Sequence, residues 1–221
     1  MSFKINKTSI QRNPFIGLFL KTNNEFTLVP RATDVKIKEL VEETLNTQAI
    51  EVLINESGLL GLFSSMNSKG IVLPSFVEEP EKKLFKKLGL NIVVFSKSYS
   101  PGNNLLVNDK VGLVSMEVPD HELKQISDGL GIELFRQPLA GIPTVGSHNV
   151  ATNKGLLLSN DTSQIDLKYL EKIFSLRAVV GSTNLGAGGN ALGLVANDHG
   201  ALTGDLTSGF EVQRIYEAFN E

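Results

Sequence analysis

The chain has 221 residues, of which 41% are apolar and 20% charged, and its formal net charge is −3. It contains no cysteine, which excludes disulfides, cysteine-ligated metal sites and thiol nucleophiles. It contains no run of 18 apolar residues, and its first twenty residues lack the order of a secretory signal. We therefore expect a cytoplasmic protein with no membrane partner. The acidic balance argues against DNA, which is held mainly through phosphate contacts.

The same series of predicted elements recurs five times along the chain. A short strand at residues 3–5 comes first, and each copy then has a β-hairpin whose turn is rich in Asn, Asp and Ser. The second strands of the hairpins end near Pro30, Pro74, Ser115, Ser159 and Gly204. These positions are 44, 41, 44 and 45 residues apart. We interpret residues 1–221 as one domain of five repeats of about 44 residues.

A glycine precedes the hairpin at the same place in four copies. The four residues are Gly17, Gly61, Gly102 and Gly146, and the fifth copy has Ala191. Glycine inside a strand usually marks a place where another backbone comes close. The recurrence in register therefore predicts that the five segments crowd around a shared axis.

A helix and a further strand follow each of the first four hairpins. The helices show apolar residues three or four apart, and they are predicted to begin near Asp34, Pro80, Pro119, Ser163 and Ser208, which suit helix caps or first turns. Apolar strands follow at residues 50–54, 91–95, 132–136 and 177–181. The fifth copy ends after its helix, so residues 3–5 are predicted to supply its last strand and close the ring.

Several motifs resemble those of the archaeal and eukaryotic translation initiation factor 6 family. They are Phe135-Arg136-Gln137, Thr144-Val145-Gly146-Ser147, Thr152-Asn153-Lys154-Gly155, Gly181-Ser182-Thr183-Asn184, Ala196-Asn197-Asp198 and the segment from Gly204 to Gly209 with Glu211. We expect a member of the archaeal type, since the given sequence ends at Glu221 without the extension typical of eukaryotic members. The resemblance implies a pentein fold, which is a closed five-fold pseudosymmetric α/β propeller.

The resemblance also implies a function and a set of contact residues. The expected function is ribosome anti-association, in which binding to the large ribosomal subunit prevents premature joining of the small one, or a role in large-subunit maturation. The expected partner is mainly a ribosomal protein on the subunit-joining face, with ribosomal RNA as a second candidate. The protein is expected to be a monomer without cofactor or metal. The candidate contact residues are Leu62, Asn103 and His148, beside the shared glycines, together with Ser147 and Asn184. For the first three, plain surface exposure is the alternative.

Catalysis of the kind found in pentein enzymes is the rival interpretation. Those enzymes modify guanidino groups with a Cys nucleophile, a His base and carboxylates near the ring axis, and this chain has no Cys. A pair formed by Ser147 and His148 is a conceivable substitute. Adjacent side chains on a strand point to opposite faces, however, so we predict that the pair cannot act together and that the protein is not an enzyme.

Two further groups of residues carry a weaker signal. His121, His148 and His199 lie in different copies and lack metal-ligand spacing, so they are interpreted as solvated or packed. A basic cluster on the second helix consists of Lys82, Lys83, Lys86 and Lys87. We interpret it as a solvated outer face, with contact to ribosomal RNA as the alternative.

Overall fold

A computed structural model describes residues 3–97 and 99–220 of the protein, so Met1, Ser2, Ser98 and Glu221 lie outside it. The strands form five separate three-stranded sheets. The strands are β1 (Lys4–Thr8), β2 (Lys21–Thr22), β3 (Phe26–Pro30), β4 (Gln48–Val52), β5 (Ser65–Met66), β6 (Gly70–Leu73), β7 (Asn91–Val94), β8 (Leu105–Val107), β9 (Val111–Val114), β10 (Glu133–Arg136), β11 (Val150–Ala151), β12 (Leu156–Leu158), β13 (Ala178–Val180), β14 (Leu194–Ala196) and β15 (Gly200–Gly204). The long helices are α1 (Val35–Leu45), α2 (Glu79–Lys87), α3 (Asp120–Leu130), α4 (Gln164–Phe174) and α5 (Gly209–Phe219).

Each sheet belongs to one repeat and has the same topology. In the first unit, β2 pairs with β3 antiparallel as a hairpin, and β4 returns after α1 to pair with β3 in parallel. Units two to four repeat this order with β5–β7, β8–β10 and β11–β13. The central strand of each unit is buried along its whole length. This burial explains the continuous apolar runs in the sequence, since a strand covered on both faces does not alternate.

The helices begin at residues that satisfy their free backbone N–H groups. The Asp34 carboxylate accepts a hydrogen bond from Lys36 N at the start of α1, and the Ser163 hydroxyl accepts one from Asp166 N at the start of α4. Ser208 and Glu211 form a reciprocal capping box on α5. Pro119 immediately precedes α3, and Pro80 lies in the first turn of α2. The predicted helix starts are thus correct to within one residue.

The fifth sheet combines β1 from the start of the chain with β14 and β15 from its end. Strand β1 pairs in parallel with β15, from Lys4 opposite Gly200 to Thr8 opposite Gly204. Phe3 precedes this strand with only 8% of its surface exposed. Its ring lies 6.2 Å from the Phe219 ring and 6.5 Å from the Tyr216 ring, both on α5. The start of the chain therefore completes the unit that the end of the chain begins.

The apolar core is divided among the five junctions between neighbouring units. Leu28 of unit one packs with Ile71 of unit two in one cluster. Clusters of the same kind join units two and three, three and four, and four and five. The last cluster joins Val195 and Leu202 of unit five to Leu20 of unit one. Because every unit shares its core with both neighbours, the ring is closed, which confirms the predicted α/β fold.

The shared glycines lie in one-turn helices and not in strands, contrary to the sequence prediction. These helical turns are Ile16–Leu18, Leu60–Phe63, Pro101–Asn104, Val145–His148 and, in the fifth unit, Asn190–Gly193. Each turn is only three or four residues long, so the sequence offers no periodicity by which to recognise it. Each helical turn is followed within two residues by the first strand of its hairpin.

Candidate functional site

The five helical turns contact one another in a closed circle at one end of the ring axis, which we call the helical-turn end. A Cβ atom added to Gly61 would clash with the carbonyl oxygen of Gly17, and one added to Gly102 would clash with that of Gly61. Gly146 stands in the same relation to Gly102, and Gly17 to Ala191. The glycines are therefore required by backbone contact between units and are not themselves binding groups.

One residue after the glycine position, each unit contributes a residue to the lining of a cavity on the ring axis. These five residues are Leu18, Leu62, Asn103, Ser147 and Leu192. Ser147 is buried, and the other four are partly exposed. Within the described part of the chain, the Asn103 side chain makes no hydrogen bond. The structure therefore brings three of the candidate contact residues, Leu62, Asn103 and Ser147, into one circle.

His148 lies one position further along the chain and is not equivalent to Leu62 and Asn103. Its Nδ1 is 2.9 Å from Thr144 O, 3.1 Å from Thr144 Oγ1 and 3.2 Å from Ser147 Oγ. The prediction that Ser147 and His148 point apart was wrong, because the two residues lie on a helical turn and not on a strand. The Thr144 carbonyl, which can only accept a hydrogen bond, competes with Ser147 Oγ for His148 Nδ1.

Asn184 lies in the interior of the ring, with 1% of its surface exposed. Its Nδ2 donates to Pro14 O at 2.9 Å, and its backbone N–H donates to Thr207 Oγ1 at 3.1 Å. These bonds join the loop before α5 to the segment that precedes the first helical turn. Asn184 therefore holds units five and one together, and a direct contact with a partner is not expected of its side chain.

At the opposite end of the axis, asparagine side chains tie the hairpin turns into a belt. Asn23 Nδ2 donates to Asn67 O at 3.2 Å, and the next two units continue the pattern from Asn67 to Asn108 O and from Asn108 to Thr152 O. Asn197 Nδ2 donates to Asn23 O at 3.0 Å and so joins the last unit to the first. Each asparagine Oδ1 also accepts the backbone N–H groups two and three residues later. The sequence showed these residues as turn formers only.

A second circle of polar contacts is formed by the next residue of each hairpin turn. We call this end of the ring axis the hairpin-turn end. Asp198 accepts hydrogen bonds from Asn24 Nδ2 at 2.6 Å and from both the backbone and the amide of Asn153 at 2.8 Å. Asp109 accepts three more, from Asn153 Nδ2 and from the backbone and hydroxyl of Ser68. These carboxylates are held by donors from neighbouring units, so their role is to fasten the ring.

The cavity on the axis encloses about 100 Å³ and is partly open to solvent. Its walls are formed by the first hairpin strands, and Lys21 is the one cationic side chain among the described residues that line it. Burial lowers the pKa of Lys21 to about 8. Sequence reasoning did not single out this residue, although Lys21 is the one charged side chain at the five equivalent positions.

The remaining candidates do not form a site. Residues 3–97 and 99–220 contain no group of three or more His, Asp or Glu side chains that could hold a metal ion. On α2, Phe85 is buried while Lys83, Lys86 and Lys87 face solvent, and Lys82 pairs with Glu79. The basic cluster thus lies on the outer surface of the ring. No helix in the described part of the chain is long and apolar enough to cross a membrane.

The fold is similar to that of a solved pentein enzyme. The N-terminal domain of ArgZ, an arginine dihydrolase from cyanobacteria, superposes with a TM-score of 0.58 at 11% sequence identity, over 84% of this chain and 75% of that one. At this identity the likeness concerns the pentein fold alone. The arginine dihydrolase activity of ArgZ does not follow from it for this chain.

Relatives at higher identity cover nearly the whole chain. Translation initiation factor 6 of Saccharolobus islandicus is 41% identical over 98% of this chain and 99% of its own. The proteins of the same name from Pyrobaculum arsenaticum and Pyrococcus horikoshii are 40% and 33% identical, over 91% and 97% of this chain and 92% and 97% of their own. The eIF-6 family model matches residues 5–218. The chain therefore belongs to the eIF-6 family, whose relatives named here are translation initiation factors.

Proposed function

We propose that this translation initiation factor binds the large ribosomal subunit through its helical-turn end and sterically prevents premature joining of the small subunit. The observation that carries the proposal is the circle of Leu18, Leu62, Asn103, Ser147 and Leu192 around one axis. Equivalent positions in a closed repeat lie at one height, so the five units together offer one platform. The proposal includes a monomer in the cytoplasm, and a role in large-subunit maturation uses the same contact.

Two features favour the helical-turn end over the hairpin-turn end as the contact for a ribosomal protein. Leu18, Leu62 and Leu192 are partly exposed there, and the Asn103 amide has no hydrogen-bond partner among residues 3–97 and 99–220. Apolar side chains with a few free polar groups are typical of the centre of protein interfaces. At the hairpin-turn end, in contrast, the axial carboxylates and amides are already bonded to one another. That end is rimmed by exposed Lys69, Lys110, Lys154 and His199, which suit ribosomal RNA as the second candidate partner.

A steric mechanism needs only a rigid body of sufficient size. A compact chain of 221 residues has a radius of gyration of about 17 Å and hence a diameter of about 45 Å. The ring is closed by β1 and fastened by side-chain belts at the hairpin turns, so it resists deformation. A body of this kind on the joining face would block the small subunit without any chemical step.

The experiment is co-sedimentation of the protein with purified large subunits on density gradients. We compare the double variant Leu62→Ala/Asn103→Ala with Lys110→Glu/Lys154→Glu at the hairpin-turn end. Truncation of a central interface residue commonly costs about 2 kcal/mol, or roughly thirtyfold in affinity. The first variant should therefore no longer co-sediment with the large subunits and should permit them to join small subunits, while its thermal unfolding stays near that of the wild type. His148→Ala, just outside the circle, should weaken binding less.

The control variant also tests the choice of face. If Lys110→Glu/Lys154→Glu abolishes co-sedimentation while Leu62→Ala/Asn103→Ala binds normally, the docking face is the hairpin-turn end and RNA is the main partner. Reversal of Lys82 and Lys83 on α2 should leave binding intact. Loss of binding in that variant would assign the contact to the outer surface.

A further inference from the structure

Unit three has an open groove beside the end of its central strand, where Ser115 lies. The groove measures about 440 Å³ and lies between the turn that follows β9 and the loop that joins β10 to the next helical turn. In units five and one the equivalent loop lies directly against the end of the central strand. A Cβ atom added to Gly204 would lie 2.1 Å from Pro14 O, and one added to Gly58 would lie 3.2 Å from Pro30 Cβ. The repeat therefore does not require an open groove at this place.

The lining of the groove is mostly apolar. Its apolar members are Met116, Pro138, Leu139, Ile142, Pro143 and Val145. Leu139, Ile142 and Val145 are buried in the cluster that joins units three and four, whereas Met116 is 51% exposed. Sites for small ligands are typically clefts of roughly 300–1,000 Å³ with an apolar lining and a few polar groups. The size and lining of this groove therefore suit a bound ligand.

The charged residues around the groove leave a net negative charge. Glu117 lines it and is exposed, and its carboxylate has no hydrogen-bond or ion-pair partner within residues 3–97 and 99–220. Arg136, next to the groove in sequence, is paired with Asp120 and donates a hydrogen bond to Val118 O at 2.8 Å. Gln137 also lines the groove, and its amide is without a hydrogen-bond partner in the same part of the chain. A cationic ligand is therefore complementary to the groove in charge.

We propose that this groove binds an extended segment of a protein partner, with an apolar side chain in the groove and a neighbouring Lys or Arg near Glu117. A cavity of roughly 150 Å³ holds a benzene ring, so a groove of about 440 Å³ has room for two or three side chains. Val145 lines the groove and begins the helical turn Val145–His148, so the groove adjoins the helical-turn end. The choice of a protein segment rests on the proposed function, because a protein seated on that end can extend into the groove.

The test uses the full-length protein and the synthetic peptide acetyl-Leu-Lys-Leu-amide as the probe. In protein labelled with ¹³C at the methionine methyl groups, the Met116 resonance, identified with the variant Met116→Leu, should shift saturably with peptide concentration. The Met66 resonance should stay constant, because Met66 is 4% exposed and lines the axial cavity. The peptide acetyl-Leu-Glu-Leu-amide should bind about fivefold more weakly or not at all, since Glu117 repels its carboxylate.

Two variants test the contribution of the carboxylate. Glu117→Gln should bind the lysine peptide about fivefold more weakly than the wild type and discriminate less between the two peptides. Asp161→Asn is the matched control and should bind as the wild type does, because Asp161 is exposed at the equivalent position of unit four. Equal affinity of the wild type for both peptides, or no shift of the Met116 resonance, would overturn the proposal. Equally tight binding of leucine amide would overturn it as well, since the groove would then take a small amine and not a peptide segment.

Sedimentation separates this inference from the proposed function. If the wild type co-sediments with large subunits but does not bind the lysine peptide, the assignment of the groove alone is wrong. If the wild type binds the lysine peptide but does not co-sediment, the proposed function is wrong and the groove remains a peptide site.

Discussion

Phe3 offers the most direct test of how the ring is closed. The substitution Phe3→Ala removes a ring that is 8% exposed and packs against Tyr216 and Phe219. It leaves the backbone pairing of β1 with β15 in place. The substitution therefore isolates the packing contribution of the first residue described in the chain.

The expected cost follows from the size of the side chain. Replacing a buried Phe by Ala typically destabilises a protein by about 3–5 kcal/mol through lost burial and the cavity left behind. Total stabilities are roughly 5–15 kcal/mol, so the effect is a large part of the whole. Because Phe3 lies at the edge of its cluster, we expect about 3 kcal/mol. Deletion of residues 1–8 should cost more, since β15 then loses a neighbour along its entire length.

The assay is urea unfolding followed by circular dichroism, with Phe210→Ala as the matched control. Phe210 is 73% exposed on the first turn of α5, and its truncation should change stability by less than about 0.5 kcal/mol. The urea midpoint of Phe3→Ala should fall clearly below that of Phe210→Ala. Equal midpoints for the two variants would refute the conclusion that the packing of Phe3 on α5 helps to hold the fifth unit closed.

Three further substitutions test other parts of the ring. Gly61→Ala should destabilise the protein by more than about 2 kcal/mol, because its Cβ would clash with Gly17 O and lie 2.7 Å from Leu20 O. The control Gly209→Ala, whose Cβ would have free space around it, should leave the free energy of unfolding unchanged or raise it by about 0.4–1 kcal/mol in the same assay. Asn67→Ala should lower the free energy of unfolding by about 2–4 kcal/mol, since it removes hydrogen bonds to Asn108 O and Leu130 O and leaves the N–H groups of residues 69 and 70 without acceptors. A decrease below about 0.5 kcal/mol would contradict the role of the belt. Burial lowers the pKa of Lys21 from 10.5 to about 8, so between these pH values the unfolded chain binds more protons than the folded protein. The stability of the wild type relative to Lys21→Met should therefore rise by up to about 3 kcal/mol as the pH increases through this window. Denaturant midpoints of the two proteins that run parallel from pH 7 to 11 would exclude the pKa shift.

Much of the fold was predictable because the same pattern of strands and helix occurs five times in the sequence. A single hairpin or helix is ambiguous in sequence, but a pattern that returns every 44 residues or so remains visible despite local exceptions such as Ala191. The closing strand was predictable for a related reason, since one unit lacked a piece that four others had. The helical turns were not predictable, because contact with the neighbouring turn sets their backbone and no period is visible in four residues.

The candidate site was predictable only in part. Leu62, Asn103 and Ser147 come together because they occupy the same place in their units. His148 was assigned to this circle one residue out of register. Asn184 was chosen by resemblance, and nothing in its sequence context shows that its amide is used inside the ring. The recurring Asn at the first position of four of the five hairpin turns was a visible signal for the belt, and its interpretation needed the neighbouring carbonyls.

The pairing of β1 with β15 sets an order of events during synthesis. Residues 4–8 leave the ribosome long before residues 200–204, with which they pair, so the fifth sheet cannot form until nearly the whole chain is available. Contacts of such long sequence separation are slow to form and leave a strand edge open in the meantime. At high concentration the waiting strand of one molecule can pair with β15 of another, as in domain swapping. We therefore expect slow refolding and a dimeric by-product whose share grows with protein concentration during refolding.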